Sequence, residues 1–277
     1  MGALLDQALA CSRSALASGA LVPLATEPVP WSSWSPFQVR RLLSRTPKHL
    51  RSPGPRPNPF LPWEPDLEVQ RLGQCHLLLL NKYPVQHGHV LLITQQWKPQ
   101  AGWLEPSDWQ ALQTVESDTG GLWFFNSCAA AGASQPHRHL QLLPREPGEP
   151  SCPLAPQLLE QLSGARAPWP WRYALSPRQG SGGPDAAQEL AHLYRQHCDQ
   201  LGLGDPHREP APAAPYNLLF DRSWFLTILR SREHWAGTSV NALGFAGYLL
   251  ITEASDQRWL LQNRPEALLE AVAVPTI

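Results

Sequence analysis

The stretch Cys75-His76-Leu77-Leu78-Leu79-Leu80 runs into Asn81-Lys82-Tyr83-Pro84 and then, past His87-Gly88-His89, into Val90-Leu91-Leu92-Ile93-Thr94. Two apolar runs of strand length, parted by a polar break that contains proline, read as neighbouring strands of an antiparallel meander. Leu67 to Leu72 supplies a further strand upstream. Downstream, Ser107 to Thr119 places Trp109, Leu112 and Val115 at helical spacing, with Ser107 as the expected cap. Gly121-Leu122-Trp123-Phe124-Phe125-Asn126 reads as a buried strand, and Asn217 to Leu229 and Tyr248 to Thr252 return to strand character.

The remaining chain is organised around these strands. Residues 2 to 20 carry Leu4, Leu5, Ala8, Leu9, Ala15 and Leu16 at helical spacing, an amphipathic helix suited to packing. From Val22 to Pro65 prolines recur among Arg40, Arg41, Arg45, Lys48, Arg51 and Arg56, which predicts an extended basic arm without regular structure. Such an arm is either a solvated linker or a carrier of one or two cations to a bound triphosphate, with Lys48 the first choice. Residues 145 to 215 are rich in Pro, Gly, Ala and Gln with one helical stretch at Ala186 to Leu201, and read as an insertion. The chain is therefore expected to divide into residues 1–65, 66–145, 146–209 and 210–277, the last packing on the same core as the second. An echo between Val85 to Thr94 and Leu243 to Thr252 points to a duplicated half.

Bulk properties narrow the function classes. The 277 residues carry 22 basic and 23 acidic side chains, a formal charge of -1, so no global field favours nucleic acid or an anionic membrane. Any polyanion must be met locally. The five cysteines are scattered without a C-x-x-C pair, which fits a reducing cytoplasm and argues against a disulfide framework or a thiolate zinc site. Asp6 and Arg13 interrupt the apolar stretches near the N-terminus, so no signal peptide is expected, and no apolar run approaches the length of a membrane span.

The chemistry concentrates in Ser134-Gln135-Pro136-His137-Arg138-His139-Leu140-Gln141. On a strand His137, His139 and Gln141 share one face while Arg138 and Leu140 share the other. Imidazole is nucleophilic when neutral near pH 7, and the phosphoramidate that it forms is reactive enough to pass its group on. An amide can hydrogen-bond a phosphate oxygen without titrating. The small residues from Ser127 to Ser134 would let backbone N–H groups approach phosphate as a nest, with Asn126 and Ser134 adding side-chain contacts. Spacing leaves two other readings open: a metal half-site completed by His87 and His89, or solvated strand residues.

Asn126-Ser127 through Gln141 resembles the signature of the ATP adenylyltransferases, the diadenosine tetraphosphate (Ap4A) phosphorylases of the HIT superfamily. The resemblance continues in Asn58-Pro59-Phe60, in Leu80-Asn81-Lys82-Tyr83-Pro84, and in Tyr216-Asn217-Leu218-Leu219 with Arg230-Ser231-Arg232-Glu233 downstream. It implies an α+β fold, a HIT-like antiparallel sheet with flanking helices, and residues 66–145 as the catalytic region. It implies that His139 attacks the α-phosphorus and carries AMP while ATP leaves, that phosphate then takes the AMP to give ADP, and that the reverse reaction makes Ap4A. The implied contacts to nucleotide are Asn81, Lys82, Asn126, Gly132, Ala133, Ser134, Gln135 and Gln141, with Tyr216 and Asn217 near the second nucleotide. His137 orients the site, and Mg2+ is expected to accompany the nucleotide, with no tightly bound cofactor and no metal ligands. Leu229-Arg230-Ser231 departs from the family's Pro-Arg-Ser and leaves the role of Arg230 open. Galactose-1-phosphate uridylyltransferases share H-x-H-x-Q, and a dinucleoside polyphosphate hydrolase or a nucleotide-binding sensor would use the same pocket. The hydrolase branch has a third histidine where Gln141 stands.

Overall fold

The computed structural model describes residues 2–44, 58–145, 148–179 and 185–276. Its strands are β1 (Thr26–Pro28), β2 (Gln38–Leu42), β3 (Glu68–Leu72), β4 (His76–Leu80), β5 (Val90–Thr94), β6 (Gly121–Asn126), β7 (His139–Pro144), β8 (Tyr173–Pro177), β9 (Tyr216–Phe220), β10 (Trp224–Leu229), β11 (His234–Trp235), β12 (Thr238–Ser239) and β13 (Tyr248–Ile251). Eight of them form one sheet in the order β3-β4-β5-β7-β6-β9-β10-β8, with every neighbouring pair antiparallel. The protein is α+β, with helices on the large sheet as expected.

Alternation along the central strands sends side chains into two cores. Trp123 and Phe125 of β6, Leu140 and Leu142 of β7, and Leu218 and Phe220 of β9 join the helices Ala3–Ser18, Pro106–Asp118 and Ala186–Leu201. Phe124, Leu143 and Leu219 face the other way, toward Leu158, Phe245, Leu249 and Leu268. β4 and β5 are buried along their whole length, which is why they read as apolar runs rather than alternating ones.

Several expectations are corrected. The Pro106–Asp118 helix is capped by Glu105, not Ser107: Pro106 takes the first helical position, and Glu105 and Asp108 form a reciprocal capping box. Residues 146–209 are not an insertion with a single helix. They hold the helices Ala155–Leu162 and Ala186–Leu201, and β8 between them closes the sheet edge against β10. Only Ala174 of β8 is fully buried, so its alternation is too weak to mark a strand. The arm is partly regular, because β2 lies antiparallel to β1 and parallel to β13. That partner is some 200 residues away and leaves no local trace. The echoed strands β5 and β13 occupy different sheets, one central and antiparallel, the other at an edge and parallel, so they are not equivalent parts of a duplicated half. Among the described residues no helix is long and apolar enough to cross a membrane.

Candidate active site

β7 carries the site because it lies between β5 and β6, where Leu91 and Phe124 flank Gln141 and Ile93 flanks His139. The entry to β7 is held by Gln100, whose Oε1 accepts the His139 backbone N–H at 2.8 Å and whose Nε2 donates to the Asn126 and His139 carbonyl oxygens at 2.7 and 3.2 Å. Arg138 points to the opposite face and donates to Glu105 and Asp108 at 3.0 and 3.2 Å, tying β7 to the Pro106–Asp118 helix. The sequence reading missed Gln100, since a single amide in a loop carries no pattern.

His139 is buried, with its Nδ1 2.8 Å from the His137 carbonyl oxygen. A carbonyl oxygen only accepts, so Nδ1 holds the proton and Nε2 keeps its lone pair. Burial pushes the imidazole pKa down to about 4, so the ring is neutral at pH 7. His139 lines a cavity of about 610 Å3. His137 is arranged differently. Its Nε2 donates to the Thr94 carbonyl oxygen at 2.8 Å, and its Nδ1 accepts from Asn58 Nδ2 at 2.9 Å. Both nitrogens are engaged, so His137 has no lone pair left for attack or for a metal. Asn58 Oδ1 also receives the Phe60 backbone N–H at 3.0 Å, and the Phe60 ring sits 5.5 Å from each imidazole. The Asn58-Pro59-Phe60 segment thereby closes over both histidines. Among the described residues no group of three His, Cys, Asp or Glu side chains is placed to hold a metal ion.

Gln141 lines the His139 cavity and also a second one of about 370 Å3. The two share Asn81, Tyr83, Ser134 and Gln141. The first is walled by Phe60, Trp63, Leu79 and Leu91, with Lys82 and Gln135 at its polar side. The second is lined by Arg40, Phe124, Asn126, Asn241, Tyr248 and Leu249. Arg40 binds Thr26 through Nε and Nη2 at 2.7 and 3.0 Å, which leaves Nη1 without a partner among the described residues. Lys48 lies outside the described residues.

The loop before β7 behaves differently from a nest. The amides of Ala131 and Gly132 and that of Ala133 turn back onto the Cys128 and Ala129 carbonyl oxygens at 2.9 Å, because Ala129–Ala131 forms a short helical turn. Gly132 and Ala133 therefore cannot offer their N–H groups to phosphate; Gly132 lines the second cavity through its backbone, and Ala133 lines neither cavity. At Gly132, φ is +89°, and a Cβ would sit 2.6 Å from that of Asn241, so only glycine fits.

Tyr216 and Asn217 are likewise placed behind the two cavities rather than in their walls. Both are fully buried and line neither cavity. The Tyr216 hydroxyl bonds that of Tyr194 at 2.7 Å. Asn217 donates to Asn126 Oδ1 and to the Ala131 carbonyl oxygen, both at 2.8 Å, and accepts from Arg230 Nη1 at 2.5 Å. Arg230 spends its other donors on the Val272, Arg232 and Val240 carbonyl oxygens, so its work is to brace the loops around the second cavity. Burial lowers its pKa only to about 10, and it stays charged. Asn126 carries this bracing to the cavity wall, since its Oδ1 also receives the Ala242 N–H at 2.9 Å.

Fold and site together define an α+β protein built on a large antiparallel sheet, with its H-x-H-x-Q segment set between two adjoining cavities. The chain belongs to the Ap4A phosphorylase family: residues 1–160 match the Ap4A phosphorylase N-terminal domain, and residues 167–275 match the ATP adenylyltransferase C-terminal domain. Curated relatives from Saccharomyces cerevisiae include Protein APA1, 40% identical over 78 residues, and diadenosine 5',5'''-P1,P4-tetraphosphate phosphorylase 2, 38% identical over 77 residues. These alignments cover 26% and 24% of this chain and 24% of each relative. The crystal structure of yeast Ap4A phosphorylase Apa2 in complex with Ap4A superimposes with a TM-score of 0.77 at 20% identity, covering 100% of this chain and 99% of that one. The AMP complex of the same yeast protein gives 0.73 at 22% identity, again covering 100% of this chain and 99% of that one.

Proposed function

We propose that the protein is an ATP adenylyltransferase that cleaves Ap4A with inorganic phosphate to ATP and ADP, and runs the reverse reaction, through AMP held on His139. The observation that carries this reading is the bare, neutral Nε2 of His139 at the wall of an apolar cavity that adjoins a second one.

One nucleoside enters the cavity walled by Phe60, Trp63, Leu79 and Leu91, and the tetraphosphate passes Gln141 and Ser134 toward the second cavity, where the other nucleotide lies. The Nε2 lone pair attacks the α-phosphorus. An N–P bond forms, the bridging P–O bond breaks, and ATP departs with that electron pair. The imidazole now carries positive charge, which the Nδ1–H bond to the His137 carbonyl oxygen stabilises more strongly than it did the neutral ring. An oxygen of phosphate then attacks the same phosphorus, the N–P bond breaks, and the lone pair returns to Nε2 as ADP forms. Charge on the nonbridging oxygens is met by Lys82, Arg40 and the Gln141 amide. Mg2+ supplies further neutralisation when carried on the nucleotide phosphates; Glu64 is the sole carboxylate among the described residues lining the two cavities, so the protein adds little to its hold. Gln141 cannot take a proton from water as a histidine could, which favours phosphate as acceptor.

Phosphate dependence tests the reading. Ap4A should give ATP and ADP in equal amounts only when phosphate is present. Full-rate conversion to ATP and AMP without phosphate would identify a hydrolase instead.

A further inference from the structure

The geometry points to His89, held by Asn81, as the positioning residue that decides which end of the Gln141 amide faces the scissile phosphate. This inference rests on the adenylyl-transfer reading and adds a residue to it.

A glutamine amide has an accepting end and a donating end of nearly equal size, and turning it over costs almost nothing sterically. Phosphate oxygens only accept. With Nε2 toward the cavity Gln141 stabilises the transferring group, whereas with Oε1 there it repels it. Some neighbour must choose between the two. In this structure the choice is made by a one-way chain of donors that starts at a backbone amide. The Tyr83 N–H, which can only donate, bonds Asn81 Oδ1 at 3.0 Å. Asn81 must then present Nδ2 to its other partner, and that atom lies 3.1 Å from His89 Nδ1. His89 Nδ1 is therefore the acceptor, and the ring proton sits on Nε2. His89 Nε2 is 3.0 Å from Gln141 Oε1 and donates to it. The Gln141 NH2 group is left facing the cavities, which Gln141 helps to line on both sides.

His89 can hold this role because it is fixed. It is 8% exposed, and its ring packs against Phe124 at 5.7 Å. Desolvation lowers its pKa to about 4, with the Gln141 bond opposing that shift, so the ring stays neutral and the chain of donors keeps its direction at physiological pH. His89 stands just before β5 and Gln141 on β7 beside it, and their pairing was hidden in the sequence by 52 residues.

A double-mutant cycle on the full chain tests the inference. His89→Phe keeps the ring and removes the donor. It should lower kcat for phosphate-dependent Ap4A cleavage about 10- to 100-fold, as removal of a residue that orients a reacting side chain does, and leave KM for Ap4A within a few-fold. In a Gln141→Ala background the same substitution should have no further effect, because nothing remains to be oriented. An equal loss in both backgrounds, or no loss with Gln141 present, overturns the inference. If His89→Phe does not fold, His89→Leu, which also lacks a donor, serves in the same cycle. The wild-type ring gives an independent readout by 15N NMR at pH 7: protonated Nε2 with bare Nδ1 is expected, and the reverse tautomer refutes the role. A wild-type protein that fails to use phosphate would instead count against the transfer reading itself, and the tautomer would still be measurable.

Discussion

Gln100 binds both backbone polar groups of His139, accepting its N–H at 2.8 Å and donating to its carbonyl oxygen at 3.2 Å. It thus sets the position of His139, the proposed nucleophile, without touching the imidazole. The same Nε2 reaches the Asn126 carbonyl oxygen at 2.7 Å, so a single loop side chain ties together the ends of β6 and β7.

Replacing Gln100 by Leu leaves the buried His139 N–H and the Asn126 carbonyl oxygen without partners. Each such group costs about 1–3 kcal/mol, and the variant should show a lower urea midpoint together with a reduced kcat. A variant as stable and as active as wild type would show that the entry to β7 is held by other contacts.

His137 and Asn58 should behave as supports. His137→Ala loses the bonds to Thr94 and Asn58 and the packing against Phe60, so a drop in Tm and a partial fall in kcat are expected. The adenylylated intermediate should still form, because Nε2 of His139 is untouched. Complete loss of the adduct in a folded His137→Ala protein would assign His137 a direct chemical role.

The acid limb of stability follows from buried imidazoles. His89, His139 and His197 each have a pKa pushed down to about 4 by burial, below the ordinary value of 6.5. Between 6.5 and 4 the unfolded chain binds protons that the folded chain does not. The contribution of these groups is thus fully present above pH 6.5 and falls as the pH drops through that window, by up to about 1.4 kcal/mol per pH unit for each group. Urea titrations at pH 7.5, 6.0 and 5.0 should show a decline that is shallower in a His197→Gln variant; the Ser176 and Thr227 partners of that ring lie away from both cavities.

Where structure arises locally, the sequence was informative. β4, β5 and β6 are long apolar runs, and Ala186–Leu201 has a clear helical stripe, so their bounds could be read to within a residue or two. β8 and the pairing of β2 with β13 could not, since an edge strand with one buried side chain and a parallel contact across the chain leave no periodicity. The site divides in the same way. The alternation of His137, His139 and Gln141 on one face was legible, but the roles of the two histidines depend on carbonyl oxygens that no sequence displays. Tyr216 and Asn217 were read as nucleotide contacts because they stand in a motif, whereas the Tyr216 side chain turns into the core against Tyr194 and that of Asn217 braces the loop that reaches the cavity. Gln100 and His89 were missed or misassigned, because each acts through a hydrogen bond to a strand dozens of residues away.

The most direct test of the account is the intact mass of the protein after incubation with Ap4A in the absence of phosphate, followed by denaturation at alkaline pH to preserve an N–P bond. One adenylyl group per chain is expected on the wild type, discharged as ADP when phosphate is added before denaturation, and absent from folded His139→Ala. An adduct that persists in His139→Ala, or turnover of Ap4A at the wild-type rate by that variant, would contradict the assignment of His139 as the carrier.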